Sequence, residues 1–289
     1  MGQCPKIVKT ALKAKNHYRI QGILGQFNGI YLGLVSKTGN TGLFLHPITK
    51  PVNIKQSALV LGLFLLVMSS CNSIRCVRGG GIKESQERNA VAFTGVHLQF
   101  DGHVNVSQGN RSEVIIIAPP HIQPLIKTEI IDGELVISST RCLLEAAKDV
   151  DIFVTLPRLT HLKIKGDGQI NGLNKFTSAD LDVEITGGGK IKLLAEMSSV
   201  EIKVNGSGLV NLSGKAESNY MEVKGSGKLQ LFELNSDFTY IDVDGPANIE
   251  VYTRNNLNIR ANGNGEILYK GKPSVEHRYL GNARVVQVN

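Results

Sequence analysis

Tryptophan is absent from this chain of 289 residues, and only four cysteines occur in it. None of the cysteines is spaced C-x-x-C, and no His, Cys or acidic group has metal-ligand spacing. No Gly-Gly-x-Gly-x-Asp array is present, which excludes repeat-type calcium binding. No serine elbow and no glycine-rich phosphate loop precedes a helix, which removes the usual hydrolase and nucleotide sites. Acidic residues are missing from residues 1–71, where eight basic ones stand alone. The net charge of +7 therefore comes from the N-terminal quarter. Residues 72–289 hold 24 basic residues against all 25 acidic ones. A near-neutral, sign-alternating surface gives a nucleic-acid partner no electrostatic footprint. No apolar run reaches the roughly 20 residues that span a bilayer.

What is present is a glycine signature in the second half. Gly166, Gly187, Gly206, Gly225, Gly245, Gly263 and Gly281 are spaced by 21, 19, 19, 20, 18 and 18 residues. Apolar residues stand four and two positions before each glycine, as in Ile202 and Val204 before Gly206. Others stand four and six positions after it, as in Val210 and Leu212. The residues between them are mostly polar. Such alternation describes strands with one face buried and one in water. Glycine between the two strands of each period suits a sharp corner needing φ > 0. Corners at Gly245-Pro246-Ala247 and Gly281-Asn282-Ala283 break the Gly-x-Gly rule and are expected to be looser.

The fold class is therefore all-β: a β-solenoid, parallel β-helix-like, with repeats of about 18–21 residues and Gly-x-Gly corners. A β-sandwich with glycine-rich hairpins is the plainer alternative, and spacing alone leaves the direction of strand pairing open. Residues 89–160 are strand-rich but off this register, over 96–100, 104–106, 114–118, 134–137 and 152–156. They are expected to form an atypical cap.

The first half reads as an export address. Ala58 to Met68 is an apolar run of signal-peptide length, with Lys55 before it. Ser69-Ser70-Cys71 follows like a lipobox, so Cys71 is the expected lipidation site, with palmitate among its acyl chains. A secretory signal cleaved near Ser70 is the simpler alternative. The expected division is 1–54, a doubtful extension; 55–71, a lipoprotein signal peptide; 72–88, a tether; and 89–289, the β-helical domain. A signal that starts some fifty residues in points to Val52 as the true start. Cys76 and Cys142 meet an oxidising compartment after export and have the opportunity to pair, although Cys76 falls in the tether.

The domain also resembles a known family, the putative auto-transporter adhesin, head GIN domain proteins of bacterial envelopes. The resemblance rests on Val104-Asn105-Val106-Ser107-Gln108-Gly109, Asp132-Gly133-Glu134-Leu135-Val136-Ile137, Leu156-Pro157-Arg158-Leu159, the serial Gly-Ser-Gly corners and Tyr269-Lys270-Gly271-Lys272-Pro273. It implies a β-helical domain, exported and often carried on a lipoprotein, with an adhesin-like role.

Candidate chemistry is sparse. His97 and His103 lie on cap strands, and His121, His161 and His277 are scattered. Asp180, Asp182 and Glu184 alternate along one strand and face water together. Aromatics gather late in the chain, at Tyr220, Phe232, Phe238, Tyr240, Tyr252 and Tyr269. Core filling accounts for most, but Tyr220 and Tyr240 each sit one residue ahead of an inward position, where a side chain points outward. No catalytic residue, metal or cofactor is expected. The expected role is a non-enzymatic envelope lipoprotein with adhesin-like binding. A structural or assembly scaffold is the alternative, and a polysaccharide-active β-helix enzyme a weaker one. Expected partners are the membrane through lipid at Cys71, an envelope glycan or protein, and further copies of the chain. The missing acidic run after Cys71 favours the periplasmic face of the outer membrane over the cell surface.

Overall fold

The computed structural model describes residues 76–143 and 145–289. Cys71, the signal peptide, the extension and Val52 lie outside the described residues. Sixteen strands follow in chain order: β1 (Glu84–Arg88), β2 (Gly95–Leu98), β3 (His103–Gln108), β4 (Glu113–Ala118), β5 (Ile126–Ile131), β6 (Glu134–Ser139), β7 (Asp151–Leu156), β8 (His161–Lys165), β9 (Gln169–Gly187), β10 (Lys190–Gly206), β11 (Leu209–Gly225), β12 (Lys228–Asp244), β13 (Asn248–Asn262), β14 (Glu266–Lys270), β15 (Ser274–Tyr279) and β16 (Arg284–Gln287). Two short 3-10 turns, Gln123–Leu125 and Ala146–Asp149, interrupt them.

The stack is a β-solenoid. From β8 onward every pairing is parallel, and each coil lies one period above the last. The parallel direction follows from the corners. A chain that turns the same way twice per period returns to its start one strand spacing higher, so like strands align. The inward positions stack into columns. One runs Leu135, Val96, Leu162, Val183, Ile202, Met221, Ile241, Ile259. Every member is buried, as are the apolar residues flanking the glycines through Ile267.

The corner glycines form a ladder of their own. Gly206 has φ +129°, and a Cβ built on it would stand 2.6 Å from the Gly187 carbonyl oxygen. Its neighbours Gly187, Gly225, Gly245 and Gly263 repeat both features. The Gly245 corner is thus as tight as the rest, contrary to the looser turn expected there. Its irregularity is confined to Ala247, whose side chain is buried. Gly281 lies outside the left-handed region, but its Cβ would still meet the Gly263 oxygen at 2.5 Å.

Residues 89–160 do more than cap the stack. β2 and β3 form a full coil, paired in parallel with β8 and β9 above and with β6 and β7 below. This coil is made first in sequence yet lies between two made later. Side chains carry the corner ladder across the junction: the Asp167 N–H donates to Asp101 Oδ1, and the Gly188 N–H donates to Asp167 Oδ1. The capping work falls to antiparallel strands. β4 pairs with β7, β1 with β4, and β5 with β6.

The stretch read as a tether is corrected at both ends. Its last five residues are β1, an all-polar strand that the pattern Glu-Ser-Gln-Glu-Arg could not announce. A charged edge strand of this kind resists further pairing. The buried Gln123 holds it, donating from Nε2 to the Glu84, Ile116 and Ala118 carbonyls. Near the other end of the stretch, Cys76 is bonded to Cys142. Cys76 therefore ties the N-terminal segment to the loop after β6. The Val77 N–H donating to the Cys142 carbonyl closes the same junction.

Candidate surface site

Sequence reasoning named Cys71 alone as a site residue, and it lies outside the described residues. Among the described residues, no group of three or more His, Cys, Asp or Glu side chains could hold a metal. His97 lies beside Gln99, and burial lowers its affinity for a proton. His161 faces Asp182 at 3.2 Å. Asp180, Asp182 and Glu184 alternate on the outward face of β9, as expected.

The outward face of the second half of each coil is organised in columns. One column runs Lys163, Glu184, Lys203, Glu222, Asp242, Arg260, so charges of opposite sign mostly meet between coils. Pairing also runs along the strands: Lys203 reaches Glu201 at 2.6 Å and Lys224 reaches Glu222 at 2.5 Å. These hydrogen bonds hold the lysine protons more tightly and the Glu222 proton less tightly than usual. Exposed pairs of this kind contribute little stability each. Their effect is to neutralise the face.

Two adjacent columns depart from that pattern. One runs Glu201, Tyr220, Tyr240, Asn258 and the other Ser199, Ser218, Phe238, Asn256. Tyr220 and Tyr240 are opposed in register on β11 and β12. Their rings stack with centroids 5.1 Å apart and planes 2° from parallel. Tyr220 keeps 38% of its surface exposed and Phe238 52%. The outward placement of the two tyrosines follows the alternation read from the sequence. Phe238 was read as core, because the inward parity flips where the coil bends. Ser236 and Thr239 both point inward, with Phe238 between them facing out.

The rings, with Ser199, Ser218, Asn219, Thr239, Asn256 and Asn258, line a shallow groove of about 350 Å³. Loss of solvent, reinforced by the carboxylates of Glu222, Asp242 and Glu201, pushes the Tyr220 hydroxyl above its ordinary pKa. It remains a neutral hydrogen-bonding group. Beneath the groove a buried chain of hydroxyls stiffens β12 and β13. Ser236 and Thr239 lie 2.9 Å apart, Thr253 donates to Thr239, and Ser236 donates to the Tyr252 carbonyl. The arrangement can bind but contains no nucleophile paired with a base, so it offers no route to bond cleavage.

Comparison with known proteins points one way. The family described as putative auto-transporter adhesin, head GIN domain, matches residues 92–273. No curated protein matches the chain. A crystal structure described as a putative adhesin from Bacteroides fragilis NCTC 9343 is 21% identical, covers 73% of this chain and 100% of its own, and superposes with a TM-score of 0.69. Another putative adhesin, from Parabacteroides merdae ATCC 43184, is 20% identical over 74% of this chain and 99% of its own, with a TM-score of 0.58. A protein from Parabacteroides distasonis ATCC 8503 described as a putative lipid binding protein is 16% identical over 74% and 100%, with a TM-score of 0.63. At these identities the likeness is one of fold.

Proposed function

Because the chain belongs to the putative auto-transporter adhesin, head GIN domain family, we propose that it is a non-enzymatic, adhesin-like binding protein of the bacterial cell envelope. On this reading it is held to the outer membrane by lipid on Cys71 and presents the solenoid as a rigid binding surface. The family match over 92–273 is the observation that carries it. Two further features support it. Among the described residues no helix is long and apolar enough to cross a membrane, so a membrane attachment through this domain would need another device. The Cys76–Cys142 bond suits an oxidising compartment outside the cytoplasm.

The test has two arms. Cells carrying the chain should attach to mucin or to other bacterial cells more than a deletion strain does; equal attachment would sink the binding role. The Cys71→Ser variant should lose palmitate label and move to the soluble fraction. If the wild type takes no label, the lipid anchor is wrong.

A second reading, an assembly scaffold, is favoured by one observation. β15 and β16 each pair on one side only, so the last coil presents free parallel edges. Such edges are templates for further strands. Concentration-dependent association of purified chain, abolished by proline at an edge position of β16, would support it.

A further inference from the structure

We propose that the Tyr220–Tyr240–Phe238 groove is a binding site for a neutral saccharide chain, a ligand class that deepens the adhesin reading and rests on it. Three properties of the groove select this class. The first is aromatic area left in water. Tyr220 and Tyr240 cover one ring face of each other, and Phe238 is half exposed beside them on the same strand as Tyr240. Pyranose rings present flat C–H faces that stack on such surfaces, while a large apolar partner would require a wider patch.

The second property is the set of neighbouring polar groups. Elsewhere this face is built from Lys, Arg, Asp and Glu. Around the rings it turns to Ser218, Asn256 and Asn258, which are short, uncharged, and both donors and acceptors. Asn256 makes no side-chain hydrogen bond, while Asn258 donates to Glu276 at 3.3 Å and Ser218 makes only a long contact to the Ser198 carbonyl. Sugar hydroxyls, which also donate and accept, match them.

The third property is charge. The nearest carboxylates, Glu201 and Glu222, are each engaged by a lysine. No unpaired cation faces the rings to attract a uronate, a sulfated sugar or a phosphate. The groove is also open along the stack, so it accommodates a polymer rather than only a terminal sugar.

The register supplies variants that the fold already tolerates. Phe238 shares its column with Ser218 and Ser199, and Tyr220 shares its column with Asn258. Phe238→Ser and Tyr220→Asn therefore place residues found at equivalent positions one or two coils away. The purified full chain would be titrated with dextran, yeast mannan, cellohexaose and chitohexaose, and with polygalacturonate as an anionic comparison. Saturation-transfer NMR reads whether sugar C–H protons meet aromatic rings.

At least one neutral saccharide should bind. Each variant should weaken it on the order of tenfold, the effect of losing a stacking surface, with the melting midpoint kept. Tyr220→Phe should retain most of the affinity, and Leu194→Ala, outside the groove, all of it. Failure of every neutral saccharide, indifference of binding to both variants, or preference for polygalacturonate would overturn the proposal. Attachment of cells to mucin separates the two readings. If it persists in the Phe238→Ser, Tyr220→Asn double variant, the groove is refuted and the adhesin role survives. If wild-type cells do not attach, the adhesin role itself fails.

Discussion

Replacing Gly206 by alanine should damage the solenoid far more than replacing Gly227, twenty-one positions later, by the same residue. At Gly206 two penalties coincide. The backbone sits at φ +129°, a region that side chains rarely adopt and that costs about 1–3 kcal/mol. The new Cβ would also stand 2.6 Å from the Gly187 oxygen and 3.2 Å from its carbonyl carbon. Those atoms belong to the backbone of the coil below, so relief requires the stack to open, at about 1–3 kcal/mol more. Together the loss is about 4 kcal/mol. At Gly227 the backbone is ordinary, and the new Cβ meets Val204 Cγ1 at 2.8 Å and Val223 Cγ1 at 3.0 Å. Side chains can shift, and a methyl group in the unfolded chain returns about 0.4–1 kcal/mol. The net loss there is about 1 kcal/mol. Ala247, which fills the matching corner position two corners' distance from Gly208, shows that the fold accepts such a Cβ. Urea unfolding followed by far-ultraviolet circular dichroism measures both. Equal losses, or a milder effect at Gly206, would refute the view that the corner backbones stack in near contact.

Three further outcomes follow from the packing. Opening the Cys76–Cys142 bond, by reductant or by Cys142→Ser, should lower stability by up to about 4 kcal/mol, the loop entropy for cysteines 66 positions apart; an unchanged melting midpoint would argue against a structural role. Val204→Asp should abolish folding by burying an unpaired charge, at several kcal/mol, whereas Lys203→Ala on the outward side should shift the midpoint by under about 1 kcal/mol; similar effects at the two sites would disprove the register. Burial lowers the His97 pKa, against the opposing pull of Glu134 and Glu184 and aided by Lys163 and Lys165. The unfolded chain then takes up this proton more readily, so stability should be flat above about pH 6.5, fall as pH drops below it, and level off once the folded imidazole is protonated. His97→Gln should flatten that limb of the melting curve against pH.

The repeated coils were legible because each carries its own local signal: a glycine, with inward residues at fixed offsets. Val204 and Leu212 announce their burial within ten residues of Gly206. The N-terminal coils carry no such signal. β2 pairs with strands that begin 39 and 66 residues later, Glu134 and His161 opposite Gly95, and nothing near residue 95 encodes those partners. β1 has no apolar residue to mark it. Cys76 sits among polar and glycine residues that resemble a linker, and only the folded loop after β6 brings Cys142 to it. In the groove, Tyr220 and Tyr240 could be placed outward by counting back from their glycines. Phe238 could not, because the bend of the coil resets the count between Leu234 and Thr239.

The out-of-order coil formed by β2 and β3 also sets the sequence of events by which the chain can fold. A C-terminal coil meets its neighbour after about nineteen residues, as Gly206 meets Gly225. Gly95 must wait for His161. Closing the longer loop costs about 1 kcal/mol more in chain entropy, and no local turn offsets it. During export from the N-terminus, the first coil therefore emerges with both edges bare and remains so until the next seventy residues have followed. The interval in which the chain is most open to mispairing with its neighbours lies at its beginning. Winding from β9 onward supplies the surface on which the earlier strands can finally settle.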